Sequence, residues 1–187
     1  MTEKRRKDFE LLVLPHLAAA FSLARWLLRH PQDAEDAVQE SLLRAFKSFD
    51  GFAGGSSAAW LLAIVRNTCL TALERKKLHG KVILLHDVAA GLDAPRQIAL
   101  PSLAPTQDAA MIAEEDRRAV HAAIATLPVQ FREVIVLREF HEMSYREIAD
   151  IVGTPVGTVM SRLARARDRL KARLSEPDKA NQNGKRS

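Results

Sequence analysis

The segment SYREIADIVGTPVGTVMSRLARARDRL, residues 144–170, decides how the chain is read. Ser144-x-x-Glu147 is a capping box that starts a helix at Tyr145. Gly153 can take the left-handed conformation that closes it. Thr154 is placed to cap the next helix, with Pro155 in the first turn, where a missing amide donor is no loss. The punctuation describes a helix-turn-helix. On the second helix Val156, Val159, Leu163, Ala166, Leu170 and Leu174 share one face and are expected to pack, while Thr158, Ser161, Arg162, Arg165 and Arg169 lie opposite. Gly157 and Thr158 let the helix start approach a surface closely, and its exposed amides suit phosphate. Ser161, Arg162 and Arg165 can then reach base edges or backbone in a major groove. Arg167 and Lys171 read as phosphate contacts or solvated charges.

Charge supports a polyanionic partner. From Pro155 to Arg173 six cations accompany one anion, Asp168, for a balance of +5; the whole chain, with 28 cations and 23 anions, also carries +5. One helix therefore holds the excess.

Upstream, roughly 111–126 and 129–140 read as helices. Between His79 and Ala110, Gly80, Gly91, Pro95, Pro101 and Pro105 interrupt the pattern, so this part reads as a linker. Its KVILLHDVAAGL is apolar enough to dock, as a strand, a short helix or a segment that orders on a partner. The final EPDKANQNGKRS reads as a polar tail.

The N-terminal block is also helical. Apolar residues recur at helical spacing from about Phe9 to Leu28, with a start or kink at Pro15. MTEKRRKDFE reads as a charged lead-in. LLVLPHLAAAFSLARWLL, residues 11–28, is interrupted by Pro15, His16 and Arg25, so a buried helix is a better reading than a membrane span. A second helix is expected from Asp33, acting as its cap, to about Phe49. Its apolar face is Ala34, Val38, Leu42, Ala45, Phe46 and Phe49. Opposite lie Asp36, Gln39, Glu40 and Leu43, an acidic patch that would repel DNA and suits a basic protein surface. FDGFAGGSS breaks the chain, and a third helix runs from about Ala58 to Lys77. Phe49, Phe52 and Trp60 beside Arg66 can hold unstacked bases; Phe49 and Trp60, taken singly, fit a core better, and Phe52, between Gly51 and Gly54, is expected to be the exposed ring.

Composition excludes several classes. With a single cysteine, Cys69, there is no internal disulfide and no zinc-site spacing, and a reducing cytoplasm fits. Asp36 and Glu40, one turn apart, lack a third metal ligand nearby. No nucleophile–base constellation or phosphate-cradling glycine loop appears, so no catalytic residue, cofactor or enzymatic activity is expected.

DAEDAVQESLLRAF, FDGFAGGSSAAWLLAIVRNTCLTALERKK and LPVQFREVIVLREFHEMSYREIADIVGTPVGTVMSRLARARDRL together resemble extracytoplasmic-function (ECF) sigma factors, the smallest class of the sigma-70 family of bacterial RNA polymerase subunits. The resemblance implies an all-α fold of two small domains: region 2 over 1–78 and region 4 over 111–174, separated by a linker at 79–110 and followed by a tail at 175–187. It implies that Asp33, Glu35, Asp36, Gln39, Glu40 and Leu43 dock on the clamp helices of the polymerase largest subunit. Phe49, Asp50, Gly51, Phe52, Trp60, Arg66 and Asn67 would capture flipped bases of the −10 element. Arg146, Thr154, Val156, Gly157, Thr158, Met160, Ser161, Arg162, Arg165 and Arg169 would read the −35 duplex. The linker would thread the polymerase cleft, region 4 would reach the flap of the second subunit, and an anti-sigma factor would restrain a chain that serves a stress or envelope-response regulon. Met160 departs from the Lys or Arg of many relatives and offers only apolar contact, for example to a thymine methyl. The competing reading is a free-standing helix-turn-helix regulator. A metal-dependent nucleic-acid enzyme is the third.

Overall fold

The computed structural model describes residues 3–82 and 107–175, with side chains over 3–78 and 116–175. The tail from 176 and nearly all of KVILLHDVAAGL lie outside the described residues. Among the described residues the chain forms eight α-helices, two short 3-10 turns and no strand.

Pro15 divides the first apolar run as its ring requires. Helix α1 spans Glu3–Val13, a 3-10 turn Leu14–His16 carries the proline, and α2 spans Leu17–Leu28. From Glu3 on, the charged lead-in is therefore part of a helix. Phe9 and Val13, one turn apart, are buried, and Phe9 meets the rings of Phe46 and Phe49 edge-on at 5.1 and 5.4 Å. Arg5 reinforces the docking by donating to the Phe46 carbonyl at 2.9 Å and lying over its ring. Leu23, Ala24, Trp26, Leu27 and Leu28 of α2 are buried in the protein core, as expected of a core helix.

Helix α3, Pro31–Ser48, starts two residues before the expected cap. Pro31 opens the helix and extended His30 stands at its N-cap without a side-chain bond. Asp33 sits in the first turn, where it pairs with Lys76 and lies 3.6 Å from the His30 ring, and it is not a cap. Helix α4, Ser57–Val82, is capped by Ser56, whose Oγ accepts the Ala59 amide at 3.2 Å. It passes through Gly80, so that glycine does not end it. Helices α5 (Gln107–Thr126), α6 (Val129–Glu139), α7 (Tyr145–Val152) and α8 (Val156–Ser175) follow.

The capping box is fully formed. Ser144 Oγ accepts the Glu147 amide at 3.2 Å, and the Glu147 carboxylate accepts the Ser144 amide at 2.9 Å. Gly153 has φ +65° and closes α7 through Ala149. Thr154, in contrast, caps nothing. The Thr158 and Val159 amides bond to the Pro155 carbonyl, and Thr154 Oγ1 is buried without a partner.

Helices α2, α3 and α4 pack mutually, and α6, α7 and α8 form a second group joined by α5. The two groups share one continuous core, because α6 lies against α2 and α7 lies against α4. Residues 131–137 of α6 are all buried, including Arg132 and Glu133. Arg132 donates to the carbonyls of Ala125 (2.8 Å), Leu127 (3.2 Å) and, across the junction, Leu27 (3.2 Å). Burial, with Arg29 nearby, lowers its pKa to about 10, so it remains cationic at neutral pH. Trp26 adds aromatic contacts to His121 and Phe140 at 5.1 and 5.2 Å.

Candidate functional site

The residues singled out in the sequence fall on three surfaces. On α8, Val159, Leu163 and Ala166 are buried and Leu170 is half-buried, as the helical period requires. Val156 and Leu174 are exposed, against expectation. The helix has 20 residues where α6 has 11 and α7 has 8. The outer face is a stripe of Val156, Gly157, Met160, Ser161, Ala164 and Arg165, all exposed, with Arg146 exposed on α7. Ala164 belongs to this stripe and escaped the sequence reading, since alanine carries no polar signal. Thr158 and Thr154 are half-buried at its edge. Arg169 is exposed, with its guanidinium over the Phe131 ring at 5.1 Å. Arg167 is not on the outer stripe: it pairs with Glu139 of α6 at 2.8 Å, and that hydrogen bond raises its pKa.

Phe49, Phe52 and Trp60 form an aromatic cluster at the end of α3 and the start of α4. Phe49 and Phe52 are near parallel at 6.3 Å, and Phe52 lies 5.1 Å from Trp60. All three are half-buried, so Phe52 is not the isolated exposed ring the flanking glycines suggest. Beside them a shallow groove of about 380 Å³ is lined by Asp8, Leu11, Leu12, Phe49 and Phe52. Gly51 and Asp50 are exposed in the 3-10 turn, with Asp50 held by Arg5 at 3.0 Å. The positive φ values fall at Gly54 and Gly55, both +92°, a conformation side chains resist. Asn67 is exposed.

The acidic face of α3 is present but partly neutralised. Glu40 pairs with Arg44, and Asp33 with Lys76. Asp36 accepts only the Gln32 amide at 3.4 Å, and Glu35 and Gln39 are exposed. Leu43 stands among them 63% exposed. Among the described residues no group of three His, Cys, Asp or Glu is placed to hold a metal.

Two arginines expected at DNA point instead to one buried carboxylate. Arg66 of α4 meets Glu133 of α6 through Nε to Oε2 at 2.8 Å and Nη2 to Oε1 at 3.3 Å. Arg162 of α8 donates to the same Oε1 at 3.3 Å. Glu133 is 1% exposed. No charge pattern in LPVQFREVIV singles it out, because the cation beside it, Arg132, bonds to carbonyls instead and its own partners lie 67 and 29 residues away.

The geometry has counterparts among known proteins. Residues 12–78 match the family model for sigma-70 region 2, and residues 117–170 the model for sigma-70 region 4. The chain is 34% identical to the ECF RNA polymerase sigma factor SigG of Mycobacterium tuberculosis over 94% of this chain, but it spans only 53% of that protein. It is 32% identical to the RNA polymerase sigma-H factor of Pseudomonas aeruginosa and 36% to the ECF RNA polymerase sigma-E factor of Salmonella typhi, covering 88% of this chain and 85% of each relative. Among solved structures it resembles the sigma factor RpoE in complex with the anti-sigma factor NepR from Bartonella quintana, with TM-score 0.68 and 30% identity over 91% of this chain and 99% of that one. It also resembles CnrH in complex with the cytosolic domain of CnrY, with TM-score 0.61 and 27% identity over 90% and 88% of the two chains. With both family regions matched in order and near-full-length relatives above 30% identity, the chain belongs to the ECF sigma factors of the sigma-70 family.

Proposed function

We propose that this chain is a promoter-specificity subunit: it joins core RNA polymerase, reads a −35 element as duplex and captures melted −10 bases, in the cytoplasm. It is an initiation factor and not an enzyme. The observation that carries the reading is the coexistence, in one chain, of an aromatic cluster beside a glycine-bearing loop and a fully capped helix-turn-helix with an exposed outer stripe. A free-standing regulator needs the second feature alone and leaves the acidic patch around Leu43 without a use.

Roles follow from exposure. Gly157, Met160, Ser161, Ala164 and Arg165 face the −35 major groove, with Arg146 and Arg169 toward phosphate. Met160 supplies an apolar contact there. Phe49, Phe52 and Trp60 offer stacking faces to −10 bases. Glu35, Asp36, Gln39 and Leu43 form the polymerase-docking patch, on the clamp helices of the largest subunit. Region 4 approaches the flap of the second subunit, and an anti-sigma partner covers the stacked domains, as the two complexed neighbours suggest.

The test mixes the chain with core polymerase on a promoter library and maps melted bases with permanganate. Melting that needs both proteins and disappears in an Asp36→Ala/Glu40→Ala double variant is the expected result. Tight duplex binding by the chain alone, with no polymerase association, would overturn the reading.

A further inference from the structure

We propose that Glu133 is a latch that holds the two domains stacked and, in doing so, occupies one arginine from each DNA-facing region. This rests in part on the reading above, that the chain binds promoter DNA, and on the sequence reading that places Arg66 and Arg162 at DNA. The geometry itself does not depend on it.

The carboxylate sits on α6, the helix buried between the two groups. Arg66 comes from the first group, Arg162 from the second, and their side chains are 16% and 23% exposed against 2% for Glu133. Arg66 makes the two-point contact and spans the junction; Arg162 adds one bond from within its own group. A carboxylate this buried needs such partners, since removing one leaves a charge without compensation. Separation of the groups withdraws Arg66 but opens that side of Glu133 to water, which replaces the lost bonds. Closure and opening are thus both satisfied states of the same carboxylate.

The occupied arginines make the closed form a poor DNA binder. While Glu133 holds Arg162, that guanidinium cannot reach a base or phosphate, and Arg66 is turned away from the −10 strand. Helix α7, with its Ser144–Glu147 cap, also packs against α4 across the junction. DNA phosphate and Glu133 compete for the same cations: stacking withholds Arg66, whereas the Arg162 bond lies within the second group and is released when the Glu133 charge is removed.

The experiment labels cysteines introduced at exposed Lys47 and Asp168, leaving buried Cys69 unreacted, and measures the distance between the domains by energy transfer in the full chain. Glu133→Gln keeps the shape and removes the charge. The expected result is a shift of the closed-to-open ratio by roughly tenfold toward open, with a similar gain in affinity for −35 duplex, helicity being unchanged. Arg66→Gln, which removes the spanning arm and leaves Glu133 in place, is expected to open the chain as well, and serves if Glu133→Gln fails to fold. An unchanged distance in both folded variants would overturn the latch. Opening without a gain in duplex affinity would uphold the latch and overturn the −35 assignment of Arg162.

Discussion

Leu43→Ala tests the polymerase-docking patch with a magnitude that the structure supplies. The side chain is 63% exposed on the outer face of α3, where it does no work for the fold. Full burial of a leucine is worth roughly 1.5–3 kcal/mol, so burying the exposed fraction against a partner contributes ~1–2 kcal/mol. That corresponds to roughly 5- to 30-fold in affinity. Alanine keeps the β-carbon, which places the expected loss in the lower half of that range. Stability should move by less than ~0.5 kcal/mol, because alanine is an equally good helix former and no core contact is removed. The assay is competition for core polymerase against a labelled wild-type chain, with thermal unfolding run beside it. The loss should appear as faster dissociation, whereas Glu35→Ala and Asp36→Ala should chiefly slow association and flatten its salt dependence. An affinity within twofold of wild type, in a variant that unfolds normally, would refute the assignment of Leu43 to the interface.

Three further outcomes are expected. Leu163→Ala removes a 1% exposed side chain beneath the recognition stripe and should destabilise the protein by ~3–5 kcal/mol, read in urea unfolding; a loss below ~1 kcal/mol would contradict the packing. Ser144→Ala breaks the capping box of α7 and should cost ~1 kcal/mol, and a Ser144→Asp chain, which can still cap, should recover most of it. His141 is held below its ordinary pKa of 6.5 by burial, and its Nε2 has no partner, so the folded state favours the neutral ring. Unfolded chains bind the proton first as pH falls; stability is therefore full above 6.5 and declines as pH drops below it toward the lower folded value. Urea midpoints at pH 7.5 and 5.5 should show that decline in wild type and less of it in His141→Gln.

Cys69 offers no redox control in this scheme. It is buried and burial pushes its thiol up to about 12, so the reactive thiolate is scarce at neutral pH.

Much of this protein is written in short-range chemistry. Ser144, Glu147 and Gly153 set the bounds of α7 because caps and left-handed turns depend on residues at most four positions apart. Pro15 broke the first apolar run, and the period of Ala34, Val38 and Ala45 put Leu43 on the outside of α3, for the same local reason. Two local readings failed: Pro31 claimed the start of α3 from Asp33, and Thr154 stands just before α8 with its hydroxyl buried and unbonded while Pro155 opens the helix. The tertiary structure alone decided which arginines are available. Helical phase places Arg162 and Arg165 near one another, yet only Arg165 stays on the open stripe, because Glu133 lies on the packed side within reach of the other. A carboxylate that meets partners 67 and 29 residues away leaves no periodic trace, and its effect exists only once α4, α6 and α8 are brought together.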